Sequence, residues 1–319
     1  MICVYRASGK HFFMKTDFTL DSAYDGLHLS VMAVVPEEKP KAVLQISHGM
    51  CGCKERYLDF MQYMSEHGVA CVACDHRGHG ASIKRADDLG YMYKGGYAAL
   101  VEDMKLVSDW TAAEFPDTPL VLLGHSMGSM AARIYAKKYD GGLSGLILSG
   151  SPGYNPMARL AVFLTGLLSM FNDGRNRPQY IQDAVSSMFN RRFVSDGPMA
   201  WVCSDPVVRQ EMLDNPKTNF TFTANGLHNL MKMMVETYSW NGWGLANPKL
   251  HIAFISGDED PCMGGERKLH DAAAMLYSLG YHNVTSAVFT EMRHEILNEK
   301  EKKVVWDDIL EFIMEIPFK

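Results

Sequence analysis

The sequence has no excess of basic residues. Its 319 residues contain 31 Lys and Arg against 37 Asp and Glu, which gives a formal net charge of -6. Proteins that bind nucleic acid usually carry a basic face, because much of their affinity comes from neutralising phosphates. We therefore expect no nucleic-acid partner. The apolar fraction of 47% is enough for a substantial core, either in two domains or in one α/β domain with a large insertion.

Cysteine is scarce and shows no regular pairing. The seven cysteines are odd in number and scattered, whereas a disulfide framework needs an even set. Cys51 with Cys53, and Cys71 with Cys74, could supply four zinc thiolates. The second pair lies on a predicted strand, however, where residues three apart face opposite sides of a sheet. We therefore expect free thiols, no metal, no cofactor and a reducing compartment, the cytoplasm.

Long apolar runs are absent as well. No apolar stretch of seven residues precedes Arg6 and Lys10, so we do not expect a secretory signal. Residues 160–171 form the most apolar segment, but as a helix they would rise only about 18 Å, against about 30 Å for the hydrocarbon core of a bilayer. This segment is too short to span a membrane. We expect it to lie on a membrane surface or to line an apolar pocket.

What the sequence does show is an alternation of strand-like and helical segments. Apolar runs at 17–20 and 27–35 flank an Asp-Gly pair at 25–26 and predict an antiparallel hairpin. Further strands are predicted at 42–47, 69–74, 120–123, 143–148, 251–256 and 283–289, and helices at 56–67, 97–115, 127–139, 265–279 and 302–316. This order predicts an α/β fold with a mostly parallel sheet and helices on both faces.

The alternation stops between residues 154 and 248. This segment has no strong strand pattern and contains eight of the 22 methionines, together with several large aromatic residues. We predict a helical cap at 154–248, inserted into a core domain formed by 1–153 and 249–319. A methionine-rich surface adapts to varied apolar shapes, which suits a pocket for flexible acyl chains. The same methionines could equally fill a small helical core.

The pentapeptide Gly-His-Ser-Met-Gly at 124–128 matches the pattern G-x-S-x-G. A predicted strand enters it and a predicted helix leaves it, which is the arrangement that presents a nucleophilic serine on a sharp turn. Neighbouring segments come so close at such a turn that only small residues fit on either side of the serine. We therefore predict Ser126 as a nucleophile.

A serine hydroxyl is a weak nucleophile near neutral pH, so it needs a base and an acid that orients this base. Asp258 and Asp260 follow a predicted strand, at the edge of the sheet where sites of parallel sheets collect. We prefer Asp260, which lies just before Pro261, and we keep Asp258 as the alternative. His294 follows the last predicted strand at loop distance and is the predicted base.

A serine nucleophile also requires donors for the negative charge that develops on the substrate. The segment Ile-Ser-His-Gly-Met at 46–50 places a glycine at the end of a predicted strand. We expect the backbone N–H groups of Met50 and Met127 to form this oxyanion hole, the latter at the start of the helix after Ser126. The methionine side chains would then matter only as pocket walls.

With these residues, the sequence resembles the α/β-hydrolase superfamily, most closely the lysophospholipase and monoacylglycerol lipase group of serine hydrolases. Besides the pentapeptide, the matching stretches are 48–50, 55–57, 75–82 and 293–299, and, in the predicted cap, 201–205, 214–216 and 220–223. The resemblance implies a catalytic triad of Ser126, Asp260 and His294, with oxyanion amides from Met50 and Met127. It also implies hydrolysis of a carboxylic ester, of lysophospholipid or monoacylglycerol type, through an acyl-enzyme on Ser126.

Two positions depart from the pattern of this group. Gly52 and Cys53 stand where a Glu-His pair usually follows the oxyanion turn. The Glu is associated with polar head-group contacts, so the resemblance does not extend to recognition of a glycerol head. Glu291 stands where a Gly often precedes the catalytic histidine, whereas Arg56 matches the group.

Other functions of the same fold stay open. Amide or peptide cleavage and hydrolysis of a carbon-carbon bond are alternatives within the enzymes, because fold alone does not choose the reaction. A ligand-binding receptor with little turnover is the alternative outside them. Epoxide hydrolases and dehalogenases are disfavoured, since they carry Asp in place of Ser126. The expected partner is a small ester or lipid, and the cap is the part expected to contact a membrane.

Overall fold

The computed structural model describes residues 2–6 and 12–317, and these form a nine-stranded sheet surrounded by helices. The strands are β1 (Ile2–Arg6), β2 (Phe12–Asp21), β3 (His28–Pro36), β4 (Ala42–Ser47), β5 (Val69–Cys74), β6 (Leu120–His125), β7 (Gly145–Ser149), β8 (His251–Gly257) and β9 (Asn283–Phe289). The α-helices of the described residues are α1 (Leu58–Glu66), α2 (Gly96–Glu114), α3 (Met127–Tyr139), α4 (Ala158–Ser169), α5 (Gln179–Asn190), α6 (Pro206–Asp214), α7 (Ala224–Thr237), α8 (Glu266–Leu279) and α9 (Lys302–Glu315).

The strand order is β1-β2-β3-β5-β4-β6-β7-β8-β9. The pairs β1/β2, β2/β3 and β3/β5 are antiparallel, and every pair from β5 onward is parallel. The predicted fold class, a mostly parallel sheet with an N-terminal antiparallel hairpin, is therefore confirmed. The hairpin strand β2 is longer than predicted, β3 has the predicted length but begins and ends one residue later, and the edge strand β1 was not predicted.

The two faces of the sheet are covered by separate hydrophobic clusters, because successive side chains of a strand point to opposite sides. In β5, Val72 and Cys74 join the cluster that includes α2, α3 and α8, whereas Cys71 and Ala73 join the cluster that includes α1 and α9. Each of β4, β5 and β6 has six residues, and all of them are buried. This two-sided burial explains why these strands are almost wholly apolar.

Four helices, α4 to α7, lie between β7 and β8 in the chain. Residues 154–248, all of which the structure describes, contain no strand. Helix α4 packs on α7, and α7 packs on α2 and α3 of the main body. In the described part of the chain, no helix combines the length and apolar character needed to cross a bilayer.

Candidate active site

Ser126 occupies the turn between β6 and α3, with φ 53° and ψ -117°. A positive φ is strained for a residue with a side chain, and such strain concentrates at functional sites. The backbone N–H of Ser126 donates to Ser149 O at 2.9 Å, and the Ser129 hydroxyl donates to Ser126 O at 2.6 Å. These bonds hold the half-buried Ser126 at the carboxyl end of β6.

The glycines beside Ser126 are required by close approach of the chain. A Cβ on Gly124 would lie 2.4 Å from the carbonyl oxygen of Gly128, and a Cβ on Gly128 would lie 2.0 Å from the carbonyl oxygen of Ser47. Both separations are far below van der Waals contact. Gly49 is also close, since its added Cβ would lie 3.2 Å from Ser126 Cβ. The end of β4 therefore packs directly against the serine turn.

Asp260 and His294 are brought together from the loops that follow β8 and β9. The Asp260 carboxylate accepts a hydrogen bond from His294 Nδ1 at 3.0 Å, from the Ser256 hydroxyl at 3.1 Å and from Cys262 N at 2.8 Å. Asp258, in contrast, is exposed, and its side chain makes no hydrogen bond within the described residues. Of the two aspartates that the sequence leaves open, the structure places Asp260 at the histidine.

Burial and pairing act in opposite directions on these two groups. Burial disfavours the charge of each, but the attraction and hydrogen bond between them prevail: the pKa of Asp260 is lowered and that of His294 is raised. The nearby carboxylate of Glu295 adds to the raised pKa of His294. Because an ionised Asp260 only accepts, the proton of neutral His294 lies on Nδ1, which leaves Nε2 as a proton acceptor.

His294 also lies beside the residue that precedes the serine. The rings of His125 and His294 have centroids 4.8 Å apart. A Cβ on Gly150 would lie 3.2 Å from Cε1 of both rings, so the end of β7 packs against them. Within residues 2–6 and 12–317, no hydrogen bond joins the Ser126 hydroxyl to His294. Catalytic hydrogen bonds are often long before substrate binds, so the lack of this hydrogen bond is compatible with proton transfer from Ser126 to His294.

An oxyanion donor must have a backbone N–H that is not already hydrogen-bonded, and the two predicted donors meet this condition. Neither Met50 N nor Met127 N donates a hydrogen bond to any described part of the chain. Met127 is the first residue of α3, where backbone N–H groups have no partner inside the helix. The turn that contains Met50 is closed by a hydrogen bond from Gly52 N to Gly49 O at 3.1 Å.

A buried histidine fixes the direction of this turn. His48 Nδ1 donates to Gly49 O at 2.8 Å, and His48 Nε2 accepts from His76 N at 2.9 Å. Burial lowers the pKa of His48 to about 4, so the ring is neutral at pH 7. In a trans peptide the C=O and the next N–H point in opposite directions. Holding Gly49 O on one side therefore aims Met50 N–H at the other.

Several charged groups near His294 were not assigned a role from the sequence. The half-buried Glu295 pairs with Arg56 and accepts from Asn298 Nδ2 at 2.9 Å. Burial opposes its charge, but Arg56 outweighs this effect and the pKa of Glu295 is lowered. Burial and the proximity of His294 lower the pKa of His125 to about 4. The only sequence signal for Arg56 and Glu295 was that they lie within stretches that resemble the hydrolase group.

One group of possible metal ligands is found among the described residues. Asp260, Cys262 and His294 each offer a ligand atom, and these atoms lie within 4.8 Å of one another. Asp260 and His294 are already engaged with each other, and burial raises the pKa of the Cys262 thiol well above its ordinary value. A protonated thiol is a poor metal ligand. This arrangement serves the pairing of Asp260 with His294 better than it serves a metal.

The topology and this site define an α/β-hydrolase with a serine at the nucleophile turn. Residues 38–301 match the family described as serine aminopeptidase, S33. The chain belongs to this family.

Curated relatives cover the chain to different extents. The monoacylglycerol lipase of Mycolicibacterium smegmatis is 25% identical over 283 residues, which is 88% of this chain and 90% of that protein. The monoglyceride lipase of Homo sapiens is 30% identical over 124 residues, and this match spans only 39% of each chain.

Solved structures agree over nearly the whole chain. A thermostable carboxyl esterase from Bacillus coagulans, in complex with glycerol, superposes with a TM-score of 0.87 at 27% identity and covers 95% of this chain and 98% of that one. A monoglyceride lipase from Saccharomyces cerevisiae, with a TM-score of 0.71 at 15% identity over 99% of each chain, shows the fold alone. The predicted resemblance is confirmed: this chain is a hydrolase of the monoacylglycerol lipase-like group.

Proposed function

We propose that the chain hydrolyses carboxylic esters of the monoacylglycerol or lysophospholipid type, through an acyl-enzyme on Ser126. The observation that carries the proposal is the position of Ser126. It lies on a strained turn beside the buried pair of His294 and Asp260. The monoacylglycerol lipase and carboxyl esterase that align with nearly the whole chain support an ester as the substrate.

The first half of the reaction forms the acyl-enzyme. His294 Nε2 takes the proton of the Ser126 hydroxyl as its oxygen attacks the carbonyl carbon of the ester. The negative charge that develops on the carbonyl oxygen is stabilised by the N–H groups of Met50 and Met127. Asp260 stabilises the imidazolium, which then gives its proton to the departing alcohol. The carbon-oxygen bond of the ester breaks, and the acyl group remains on Ser126.

The second half releases the acid. Water replaces the alcohol, and His294 takes a proton from it as the water oxygen attacks the acyl carbon. The same two N–H groups stabilise the second oxyanion, and His294 returns the proton to Ser126. The products are a carboxylic acid and an alcohol, and no metal or redox cofactor enters either half-reaction.

We propose that residues 154–248 form a cap over this site, on a core formed by 1–153 and 249–319. Two backbone hydrogen bonds support this proposal, from His294 N to Trp201 O at 3.4 Å and from Glu295 N to Val202 O at 2.7 Å. The Trp201 ring lies 5.2 Å from the His294 ring, measured between centroids. The cap segment therefore contacts the base itself.

We further propose that α4 carries the cap to lipid. Its large apolar side chains at positions spaced by three and four residues share one face of the helix and point to solvent. The exposed apolar residues of this face and of its two ends are Met157, Leu160, Phe163, Leu164, Leu167, Met170 and Phe171. Of the α4 residues, only Ala158 and Thr165 are buried. An exposed apolar surface of this size is typical of a contact with a membrane or an interface.

The test is a substrate panel under one set of conditions. It comprises p-nitrophenyl esters of graded chain length, a monoacylglycerol, a lysophospholipid and an amino-acid p-nitroanilide, with Ser126→Ala as the blank. We expect ester cleavage that rises with acyl length, because each buried methylene contributes about 0.8 kcal/mol. A flat profile across chain length would remove the case for a lipid substrate.

Peptide cleavage is the second candidate. The family description names an aminopeptidase, and a proline iminopeptidase of Saccharolobus solfataricus is 35% identical over 102 residues, about a third of each chain. The p-nitroanilide in the panel decides between the two candidates. Faster release of p-nitroaniline than of p-nitrophenol would overturn the ester assignment in favour of this one.

A further inference from the structure

Arg293, the residue before His294, connects three parts of the chain. Its guanidinium pairs with Asp196, donates to Ala200 O at 2.7 Å and lies 4.1 Å from the centroid of the Phe193 ring. On its other side, Nε contacts Glu259 Oε2 at 3.4 Å. The side chain is 9% exposed. Arg293 thus joins the 193–200 part of the proposed cap to the loop that carries Asp260.

The backbone on both sides of Arg293 strengthens this connection. Arg293 N donates to the Glu299 carboxylate at 2.9 Å, and the same carboxylate accepts from Ser204 N at 2.9 Å and from the Ser204 hydroxyl. Glu259 N donates to Met292 O at 3.0 Å. Residues 292–299 are therefore bound to the Asp260 loop at one side and to residues 196–204 at the other.

His294 takes its position from this arrangement. Its ring is held by Asp260, but its backbone is held by the contacts of its neighbours and by its own N–H to Trp201 O. A displacement of about 1 Å at a reacting group is enough to lower a rate about 100-fold. Loss of the Arg293 guanidinium would leave Asp196, Glu259 and Ala200 O without this partner and would release the loop from the 193–204 segment.

We infer that Arg293 is a positioning residue, which aligns His294 with Ser126 only when residues 193–204 are seated against the His294 loop. The inference rests on the proposed role of His294 as the base. It makes the cap a part of the catalytic machinery in addition to a wall around the substrate. Docking of the cap and alignment of the base then become one event.

The experiment compares Arg293→Ala and Arg293→Lys with the control Arg192→Ala. Arg192 is exposed, lies near the same Phe193 ring and makes no ion pair within the described residues. The readouts are kcat and KM on p-nitrophenyl acetate, the rate constant of labelling by a fluorophosphonate probe, and the unfolding midpoint. An acetate ester needs little of an acyl pocket, so its KM is insensitive to general loosening of the cap.

We expect Arg293→Ala to lower kcat and the labelling rate constant by the same factor, about 10- to 100-fold, with KM changed less than about twofold. Arg293→Lys should retain part of kcat and part of the labelling rate constant, because an ammonium keeps one charge near Asp196 but lacks the guanidinium fork. Arg192→Ala leaves both at the wild-type level. Asp196→Asn gives a smaller loss in the same direction, and it serves if Arg293→Ala does not fold.

A wild-type kcat in Arg293→Ala would overturn the inference. A loss of kcat no greater than the loss of folded protein, or no greater than the loss of kcat in Arg192→Ala, would overturn it as well. Labelling by the fluorophosphonate probe distinguishes failure of this inference from failure of the proposed function. A wild-type chain that is labelled but cleaves no ester contradicts the substrate assignment and still tests Arg293. A wild-type chain that is not labelled overturns both the proposed nucleophile and the inference.

Discussion

The Nδ1 atom of His48 donates a hydrogen bond to the carbonyl oxygen of Gly49 at 2.8 Å. This bond lies on the far side of the peptide whose N–H, that of Met50, is the proposed oxyanion donor. We therefore expect the neutral His48 to support the proposed oxyanion hole by holding this peptide in place. The resemblance to the hydrolase group includes His48 and Gly49, but the direction of the peptide becomes clear only from the hydrogen bonds.

Replacement of His48 by Ala is expected to lower kcat about 10- to 100-fold, somewhat less than loss of a whole oxyanion donor. The KM for a short ester should change little, because the donors act mainly on charge that develops in the transition state. Steady-state kinetics on p-nitrophenyl acetate measure both. His48→Asn, whose amide can still donate to Gly49 O, should recover part of the loss, and the exposed His67→Ala is the control. Equal kcat in all three variants would refute the role.

Ser126→Ala should abolish ester turnover and probe labelling and leave the fold intact. Loss of the nucleophile in a serine hydrolase costs on the order of 10⁶-fold in kcat. Turnover, labelling and circular dichroism of the same preparation are the measurements. Ser187→Ala is a matched control, since Ser187 is exposed on α5 and its side chain makes no hydrogen bond among the described residues. More than a few per cent of residual activity in Ser126→Ala would identify a different nucleophile.

The pH dependence of kcat/KM follows from the charge of His294. Only neutral His294 accepts the Ser126 proton, so kcat/KM should rise with pH through the pKa of this group in the free enzyme. Asp260 raises that pKa, which places the midpoint above the ordinary value of about 6.5. A pH profile of p-nitrophenyl ester hydrolysis measures the midpoint. A midpoint below 6.5 would contradict the pairing of His294 with Asp260.

Asp260→Asn should remove the stabilising charge and lower kcat by about 10⁴-fold, since a neutral partner no longer fixes the histidine tautomer. Its residual activity should have a lower pH midpoint than the wild type. Asp258→Asn is the matched control and should leave both the rate and the midpoint unchanged, because the Asp258 side chain is exposed and makes no hydrogen bond in the described chain. The reverse order of the two variants would assign the acid to Asp258.

The exposed face of α4 should bind lipid. Leu164→Asp places a charge at the centre of this face, where Leu164 is 51% exposed, so it should weaken co-sedimentation with phosphatidylcholine vesicles several-fold. The rate on soluble p-nitrophenyl acetate should not change, because this side chain is exposed and an acetate ester needs little of an acyl pocket. Val207→Asp, at a similarly exposed apolar position on α6, is the control. Equal vesicle binding by all three proteins would exclude α4 as the lipid contact.

The sequence predicts most of the sheet because its central strands are buried on both faces, and continuous apolar runs between helical segments have few other interpretations. It does not predict β1. This edge strand is defined by its antiparallel pairing with β2, which is a tertiary contact. The sequence leaves Asp258 and Asp260 open, since both follow the same strand. Only the hydrogen bonds around His294 separate them.

Two other features are beyond local patterns. The composition of α4 allows either a pocket wall or a membrane-facing surface, and only the structure shows that its large side chains face solvent. The contacts of Arg293 join residues that are far apart in the chain, and no sequence spacing predicts them. In both cases the deciding interaction is tertiary.

The strand order also determines when the site can be assembled during synthesis. Ser126 lies at the end of β6, whereas Asp260 and His294 follow β8 and β9, which are added in turn at one edge of the sheet. During synthesis, the segment that carries Ser126 therefore leaves the ribosome before either proposed partner has been made. Until β8 and β9 join that edge, the proposed nucleophile has neither its proposed base nor its proposed acid. The proposed triad thus becomes complete only when the last two strands of the sheet have docked.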